Sequence, residues 1–275
     1  MLLMGIVFAS SCEDVIDVDV PSEEPRLIVN ALIRVDTSLA FVDVVITVAE
    51  TNSFFGTLPP TGLQQITITS LGPEGGGPIL LETEPGVYVK EAVGTDFLMS
   101  DEMVLQIDFE DKIFVAFAEF QPSSPIESLA QGDGTVFDEN DTEIIVSFTD
   151  NGEQDNFYVF DFGNGNFLET NDEFYQGQTF EFSYFYEDEL NPGDEVPVSI
   201  LGVDEGFHDY MSLLIEQSDR SFGVFETPAV TVRGNIINAT DIDNIENFNN
   251  VNMSDNFALG YFAIVQEFKD TLTIE

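Results

Sequence analysis

The sequence predicts a mainly β protein with two antiparallel β-sandwich domains, the first immunoglobulin-like and the second carrying one short helix. Short apolar segments rich in β-branched and aromatic residues recur along the chain, and Gly, Pro and Asn residues separate them. One segment alone shows a helical period. The 26 Phe and 7 Tyr supply enough aromatic surface to fill hydrophobic cores. Strands at this spacing are typical of antiparallel sandwiches.

The first predicted domain covers residues 26–120. Its predicted strands are RLIVNALIRV, FVDVVITVAE, QQITITS, GVYVKEAV, MVLQIDFE and KIFVAFAEF. Residues 58–62 and 72–78, which contain Gly and Pro, are predicted to form turns between them. Two prolines and two serines within residues 121–125 interrupt the strand pattern, so we place the domain junction there.

The second predicted domain covers residues 121–275. Its predicted strands are TEIIVSFTD, DNFYVFDFG, QTFEFSYFY and DEVPVSILGV. Residues 238–256 are rich in Asn and Asp, which predicts a long surface loop. The end of the chain is predicted to form a pair of strands, FALGYFAIVQ and DTLTIE.

One helix is predicted, over residues 206–219. Asp204 is placed to cap its start, and no Pro interrupts it. The positions at helical spacing are Phe207, Tyr210, Met211, Leu214 and Ile215. We expect this apolar stripe to pack against the sheet of the second domain.

The net charge excludes one class of partner. The chain has 52 acidic residues against 7 Lys and Arg, a formal charge of −45. Nucleic-acid binding needs a basic stripe, which this composition does not provide. Direct attraction to anionic lipid is disfavoured for the same reason. A negative field of this size keeps a protein soluble and attracts counter-cations.

Residues 1–11 are predicted to be a lipoprotein signal peptide, and residues 12–25 an acidic tether. An apolar run at residues 2–8 is followed by small residues and then by Cys12, the single cysteine of the chain. This order resembles a lipoprotein box, in which the cysteine receives diacylglycerol. The alternative makes residues 2–8 an ordinary strand and Cys12 a small buried side chain.

The predicted location is the outer membrane, with the chain held by its lipid and exposed at the cell surface. Glu13 and Asp14 directly follow Cys12. They resemble the acidic export signal that sends Bacteroidetes lipoproteins to the outer face of the outer membrane.

Calcium is the one ligand ion that the sequence supports, and no other cofactor is expected. Two acidic segments, FDENDTE and TDIDNIEN, offer hard oxygen donors at alternating positions. The candidate ligands are Asp138, Asn140, Asp141, Glu143, Asp241 and Asp243, with Asn244 and Glu246 beside them. Neither segment has the glycine of an EF-hand loop, and ordinary solvated acidic loops remain the alternative.

Other candidate residues receive mostly structural interpretations. His208, the single imidazole, is expected to be structural, and Arg233 is expected to form an internal bidentate pair with a carboxylate. Phe54, Phe55 and the loop at residues 172–177 are candidates for contact with a partner or a glycan. No nucleophile and base stand out, so we do not expect an enzyme.

Five segments resemble a known family. They are CEDVIDVDVP before RLIVNALI, then ETEPGVYV, NPGDEVPVSILGVDEGFHDYMSLLIEQ, VRGNI and ALGYFAIVQ. In this order they are similar to the Bacteroidetes lipoproteins grouped as domain of unknown function 4249. One departure is Asn30-Ala31-Leu32-Ile33, where the family usually has Glu-Gly-Trp-Ile.

The resemblance implies a role in transport and brings no catalytic residues. Family members are usually encoded beside TonB-dependent outer-membrane receptors. The expected function is therefore that of an accessory binding or assembly subunit of such a receptor in nutrient uptake. The alternatives are a structural or adhesive surface lipoprotein and, with the least support, a hydrolase of surface polymers.

Overall fold

The computed structural model describes residues 25–52, 58–73, 75–134, 141–186, 190–218, 231–240, 242 and 257–275. In chain order the strands are β1 (Leu27–Val35), β2 (Phe41–Glu50), β3 (Gln65–Ser70), β4 (Leu81–Glu84), β5 (Val87–Gly94), β6 (Met103–Phe109), β7 (Lys112–Ala118), β8 (Phe120–Gln121), β9 (Ile126–Gln131), β10 (Thr142–Thr149), β11 (Phe157–Asp161), β12 (Phe167–Asn171), β13 (Thr179–Tyr186), β14 (Glu195–Val203), β15 (Ile237–Asn238) and β16 (Leu259–Thr273). The helices are α1 (Thr95–Leu98) and α2 (Glu205–Ser218). The prediction of a mainly β fold with a helix in the second half is confirmed.

A nine-stranded sheet runs through the molecule. Its order is β12-β11-β14-β16-β1-β2-β5-β4, and β8 pairs with β16 beside this path. A four-stranded sheet, β15-β7-β6-β3, and a three-stranded sheet, β13-β10-β9, complete the described strands. Among these pairings, β1 with β16 and β16 with β8 are parallel and the others are antiparallel.

Strand β16 joins the two halves of the nine-stranded sheet. Its first half pairs in parallel with β1, from Leu259 to Gln266, and its second half pairs with β14, from Glu267 to Thr273. The prediction of two strands at this place is wrong, because one continuous strand covers both segments. The residues between them, EFK, contain no Gly, Pro or Asn to form a turn.

The two smaller sheets pack on the same face of the nine-stranded sheet. Alternate residues of β1 (Leu27, Val29, Ala31, Ile33 and Val35) are buried in the first core, together with Phe262 and Ile264 of β16. Phe268 and Leu272, which share that face of β16, pack in the second core under β13-β10-β9. Each core therefore has the two layers of a sandwich, with one sheet common to both.

Strands from both sides of residues 121–125 share these sheets. β15 pairs with β7, and the first half of β16 pairs with β1. The division into domains at 121–125 stays a prediction.

Helix α2 covers part of the opposite face. The odd-numbered residues Ala263 and Val265 of β16 point to that face, with Val159 and Leu201 from neighbouring strands. Phe207 and Met211 of α2 pack on them and are buried. The predicted apolar stripe thus lies against the nine-stranded sheet, which forms the middle of three layers here.

Candidate ligand-binding cavity

A cavity of about 1030 Å³ lies between helix α2 and the outward face of strand β1. It continues past Phe167 to the end of strand β13, where Tyr184 and Tyr186 line it. The volume lies at the upper end of the range of small-molecule sites, about 300–1000 Å³. This cavity is the candidate functional site.

One wall consists of the residues of β1 that alternate with its buried ones. Ile28, Asn30, Leu32 and Arg34 line the cavity, while the residues between them fill the first core. Because successive side chains of a strand point to opposite faces, one strand contributes to both places. From Leu27 to Val35 the strand is apolar on both faces except at the outward positions Asn30 and Arg34.

The facing wall is helix α2, whose start is fixed by Asp204. The backbone N–H of Phe207 donates to the Asp204 carboxylate at 2.6 Å, and the N–H of His208 donates to the Asp204 carbonyl at 3.0 Å. This is the N-cap that the sequence predicts. The helix residues that line the cavity are Phe207, Tyr210, Met211, Leu214, Ile215 and Ser218.

Tyr261 of β16 ties the helix start to the sheet. Its hydroxyl hydrogen-bonds to the Asp204 carboxylate, and burial together with the charge of Asp204 raises the pKa of Tyr261 above its ordinary value. Its ring contacts those of Phe207 and Tyr210, with centroids 5.0 Å and 5.1 Å away. These contacts hold the start of α2 against the sheet, and the three aromatic rings make this part of the helix wall apolar.

Three glycines permit the close backbone contacts behind Tyr261. Gly260 has φ +95°, and a Cβ there would lie 1.8 Å from the carbonyl oxygen of Val29. A Cβ on Gly234 would lie 1.7 Å from the Gly260 carbonyl oxygen, and one on Gly206 would lie 2.7 Å from the Tyr261 hydroxyl. Four of the family-like segments therefore meet at one crossing, which the glycines make possible.

Asn235 of the VRGNI segment bridges two strands at that crossing. Its carboxamide donates to the carbonyls of Phe117 and Phe262 at 3.1 and 2.8 Å and accepts from the Phe262 N–H at 2.9 Å. One side chain thus replaces the backbone partners that β7 and β16 would otherwise need.

Arg233 contacts an aromatic ring close to the start of β16. Its guanidinium lies over the ring of Phe257, with 3.7 Å from Cζ to the centroid, and Arg26 lies over the same ring at 4.2 Å. Two of the 7 basic residues therefore hold the residue that precedes β16 through cation–π contacts. The carboxylate pair predicted for Arg233 stays a prediction.

Arg34 is the charged residue of the cavity wall. One guanidinium nitrogen binds Asp161 at 2.6 Å and the other binds Glu267 at 3.2 Å. The Ser199 hydroxyl also donates to Glu267, at 2.6 Å. Sequence reasoning missed this site, although an Arg at an outward position of an apolar central strand is a signal that acids lie beside it.

Aromatic side chains form the end of the cavity beside Arg34. The rings of Tyr184 and Phe162 stack with centroids 3.9 Å apart, and the Tyr186 hydroxyl donates to the Phe162 carbonyl. Burial raises the pKa of Tyr186, so its hydroxyl is protonated at neutral pH. The end wall is therefore rigid and uncharged.

Most residues singled out from the sequence lie outside the described part of the chain. These are Cys12, Glu13, Asp14, Phe54, Phe55, Asp138, Asn140, Asp241, Asp243, Asn244 and Glu246. Lipidation of Cys12 and calcium binding stay predictions.

Two of the calcium candidates, Asp141 and Glu143, are described. The Glu143 carboxylate accepts hydrogen bonds from the Ser183 hydroxyl and from the Gly134 N–H, the latter at 2.7 Å. These bonds lower the pKa of Glu143. Within the described ranges, no group of three or more His, Cys, Asp or Glu side chains is placed to hold a metal ion.

His208 and the loop at residues 172–177 lie away from the lining. The His208 ring contacts that of Phe157, with centroids 5.2 Å apart, and its Nδ1 lies 3.3 Å from Asp209. The loop is held by buried Asp172, which accepts from the Asn156 N–H at 2.9 Å, and it leaves Phe174 86% exposed.

The fold and the cavity define a mainly β protein in which one sheet carries two sandwich cores and a helix-covered site. The family model described as Domain of unknown function (DUF4249) matches residues 13–271. The chain therefore belongs to this family, as its five segments predicted. Within the described residues, neither helix is long and apolar enough to cross a membrane.

Other comparisons add little. No curated protein matches the chain. Among solved structures, the crystal structure of bovine butyrophilin matches at 11% identity and a TM-score of 0.20, covering 63% of this chain and 91% of that chain.

Proposed function

We propose that this protein is a lipid-anchored accessory subunit of a TonB-dependent receptor, in which the cavity binds a small molecule taken up by that receptor. The cavity carries the proposal, because it is large enough for such a ligand and opens between two fixed walls. The lipoprotein box ending at Cys12 and the acidic residues after it support a location at the surface of the outer membrane.

The experiment that tests the receptor role is co-purification. Tagged, lipidated protein is recovered from gently solubilised outer membranes, and its partners are identified by mass spectrometry. We expect a large β-barrel receptor in stoichiometric amount. A Cys12→Ala control should lose the membrane fraction and with it the receptor. Recovery of the wild type without a receptor would contradict the proposal.

A structural or adhesive role is the second candidate, and an exposed apolar row favours it. Val45 of β2 and Leu81 of β4 both lie opposite Val89 of β5. Val45 is 46% exposed and Leu81 is 69% exposed, which is unusual for neighbouring positions on one sheet face. Under this alternative, Val45→Glu would abolish adhesion between cells, and the wild type would bring down no receptor.

A hydrolase is not proposed. The described residues that line the cavity include Ser218, and among them there is no imidazole, thiol or carboxylate to act as its base. That the protein is not an enzyme stays a prediction, and turnover of surface polymer by the purified chain would contradict it.

A further inference from the structure

We infer that the cavity selects a largely apolar small molecule that carries no anionic group. This inference rests on the binding function proposed above and names the class of ligand. It follows from the shape of the walls, from the distribution of polar groups along them and from the charge that surrounds Arg34.

The two walls are of similar length. From Ile28 to Arg34 the strand wall spans about 20 Å at the usual rise of a strand. From Phe207 to Ser218 the helix wall spans about 17 Å at 1.5 Å per residue. A molecule in this space can contact both walls.

The middle of the cavity is apolar. Leu32 of the strand and Met211 and Leu214 of the helix line it, and they belong to one apolar cluster with Val159 and Leu201. A polar group placed there would lose its hydration without a hydrogen-bond partner, which costs several kcal/mol in an apolar environment, about 2–7. The body of the ligand is therefore hydrocarbon or aromatic.

Hydrogen-bonding groups lie toward the ends. Asn30 pairs in register with Tyr261, near the start of α2. Asn166 lies at the other end, where its carboxamide donates to the Gly163 carbonyl at 3.1 Å. The carboxamides of Asn30 and Asn166 can hydrogen-bond to a hydroxyl, amide or carbonyl group at an end of the ligand. They are too far from the middle of the cavity to bind a polar group there.

The local charge disfavours an anionic ligand. Arg34 is the charged residue among the described lining, and its guanidinium already binds the carboxylates of Asp161 and Glu267. The triad therefore carries a net charge of about −1, inside a chain of −45, so an anion finds no unmatched positive charge.

Two fluorescent probes that share the same ring skeleton but differ in charge test the effect of ligand charge separately from that of ligand shape. N-phenyl-1-naphthylamine is neutral, and 8-anilinonaphthalene-1-sulfonate carries a sulfonate on the same rings. Both become fluorescent when they leave water. We expect the neutral probe to bind the full chain at least about tenfold more tightly than the anionic one, because the sulfonate has no cation to pair with.

Two neighbouring leucines of α2 provide matched variants. Leu214 lines the cavity, whereas Leu213 does not and is 44% exposed. Leu214→Trp fills the space between the walls and should weaken binding of the neutral probe about tenfold or more, while Leu213→Trp should change it less than about twofold. Both are made in a Cys12→Ser chain, so no acyl chain is attached and background binding is common to both.

Each possible result of these experiments tests a different part of the inference. Equal or tighter binding of the anionic probe would overturn the inference about charge. Equal effects of Leu213→Trp and Leu214→Trp would show that the probe binds elsewhere and would overturn the assignment to this cavity. Circular dichroism and the urea midpoint of each variant identify one that has not folded, and Leu214→Phe, a smaller enlargement, then takes its place. Failure of the receptor role appears in co-purification, which these probes do not measure.

Discussion

Replacing Gly260 by Ala should strongly destabilise the protein, because two separate costs act at that position. Gly260 has φ +95°, a region that a residue with a Cβ rarely adopts. An added Cβ would also lie 1.8 Å from the Val29 carbonyl oxygen and 2.7 Å from its carbonyl carbon. These atoms belong to the backbone of the paired strand β1, so they cannot move aside as the end of a side chain would.

Two other glycines allow the cost of backbone strain to be measured separately from the cost of the close contact. Gly193 has φ +96° with open space around its Cβ position, and Gly62 has neither the positive φ nor a close neighbour. Gly193→Ala should cost about 1–2 kcal/mol from backbone strain alone. Gly62→Ala should be near neutral, within about 0.5 kcal/mol. Gly260→Ala adds a clash worth about 1–3 kcal/mol to the strain, so we expect a total of about 2–5 kcal/mol.

Urea unfolding followed by circular dichroism measures the three variants on one scale. A loss of this size is a large part of a typical stability of about 5–15 kcal/mol, so Gly260→Ala is expected to unfold at a much lower urea midpoint. Equal losses for Gly260→Ala and Gly193→Ala would refute the reasoning, because the close contact with β1 would then cost nothing.

Three further predictions concern the anchor and the charged groups. Cys12→Ala should abolish incorporation of radiolabelled palmitate, and label retained by the variant would exclude Cys12 as the acceptor. Arg34→Met leaves two mostly buried carboxylates without their cation and should cost about 2 kcal/mol in urea unfolding; an unchanged midpoint would contradict a stabilising role of these ion pairs. The lowered pKa of Glu143 means that its carboxylate stabilises the fold above its ordinary pKa of 4.5 and that this is lost as pH falls through the lower folded value. Glu143→Gln should therefore lower the melting temperature at pH 7, and the difference should vanish at acidic pH; a difference that persists would show another cause.

Local patterns predicted the strands and the helix well. The alternation of buried residues in β1 and the stripe of α2 both follow from periods of two and 3.6 residues that the sequence displays directly. The same local reasoning failed at residues 257–275, where it divided one strand into two. That strand changes partner from β1 to β14 without a bend, and partner choice depends on residues far away in the chain.

The cavity depends on contacts between distant segments, so the sequence pattern indicated little of it. Arg34 and its partners Asp161 and Glu267 are separated by more than a hundred residues. In the sequence, nothing distinguishes Gly260 from any other glycine in a strand. The structure shows that its carbonyl lies in close contact with Gly234. In contrast, Asp204 was predictable, because a helix cap is a contact within a few residues.

The shared sheet explains why a cavity occurs on this face. Both smaller sheets cover the even-numbered side of β16, so the odd-numbered side of the sheet depends on α2 for its cover. A helix of 14 residues, fixed at its start by Asp204 and Tyr261, is too narrow to cover four strands. Because strands lie about 4.8 Å apart, β1 lies at the margin of the helix, so Leu32 is only partly buried against the cluster of Phe207 and Met211 and also lines the cavity. A ligand that fills this space removes the same apolar surface from water that an additional helix would, which is why binding there should also stabilise the fold.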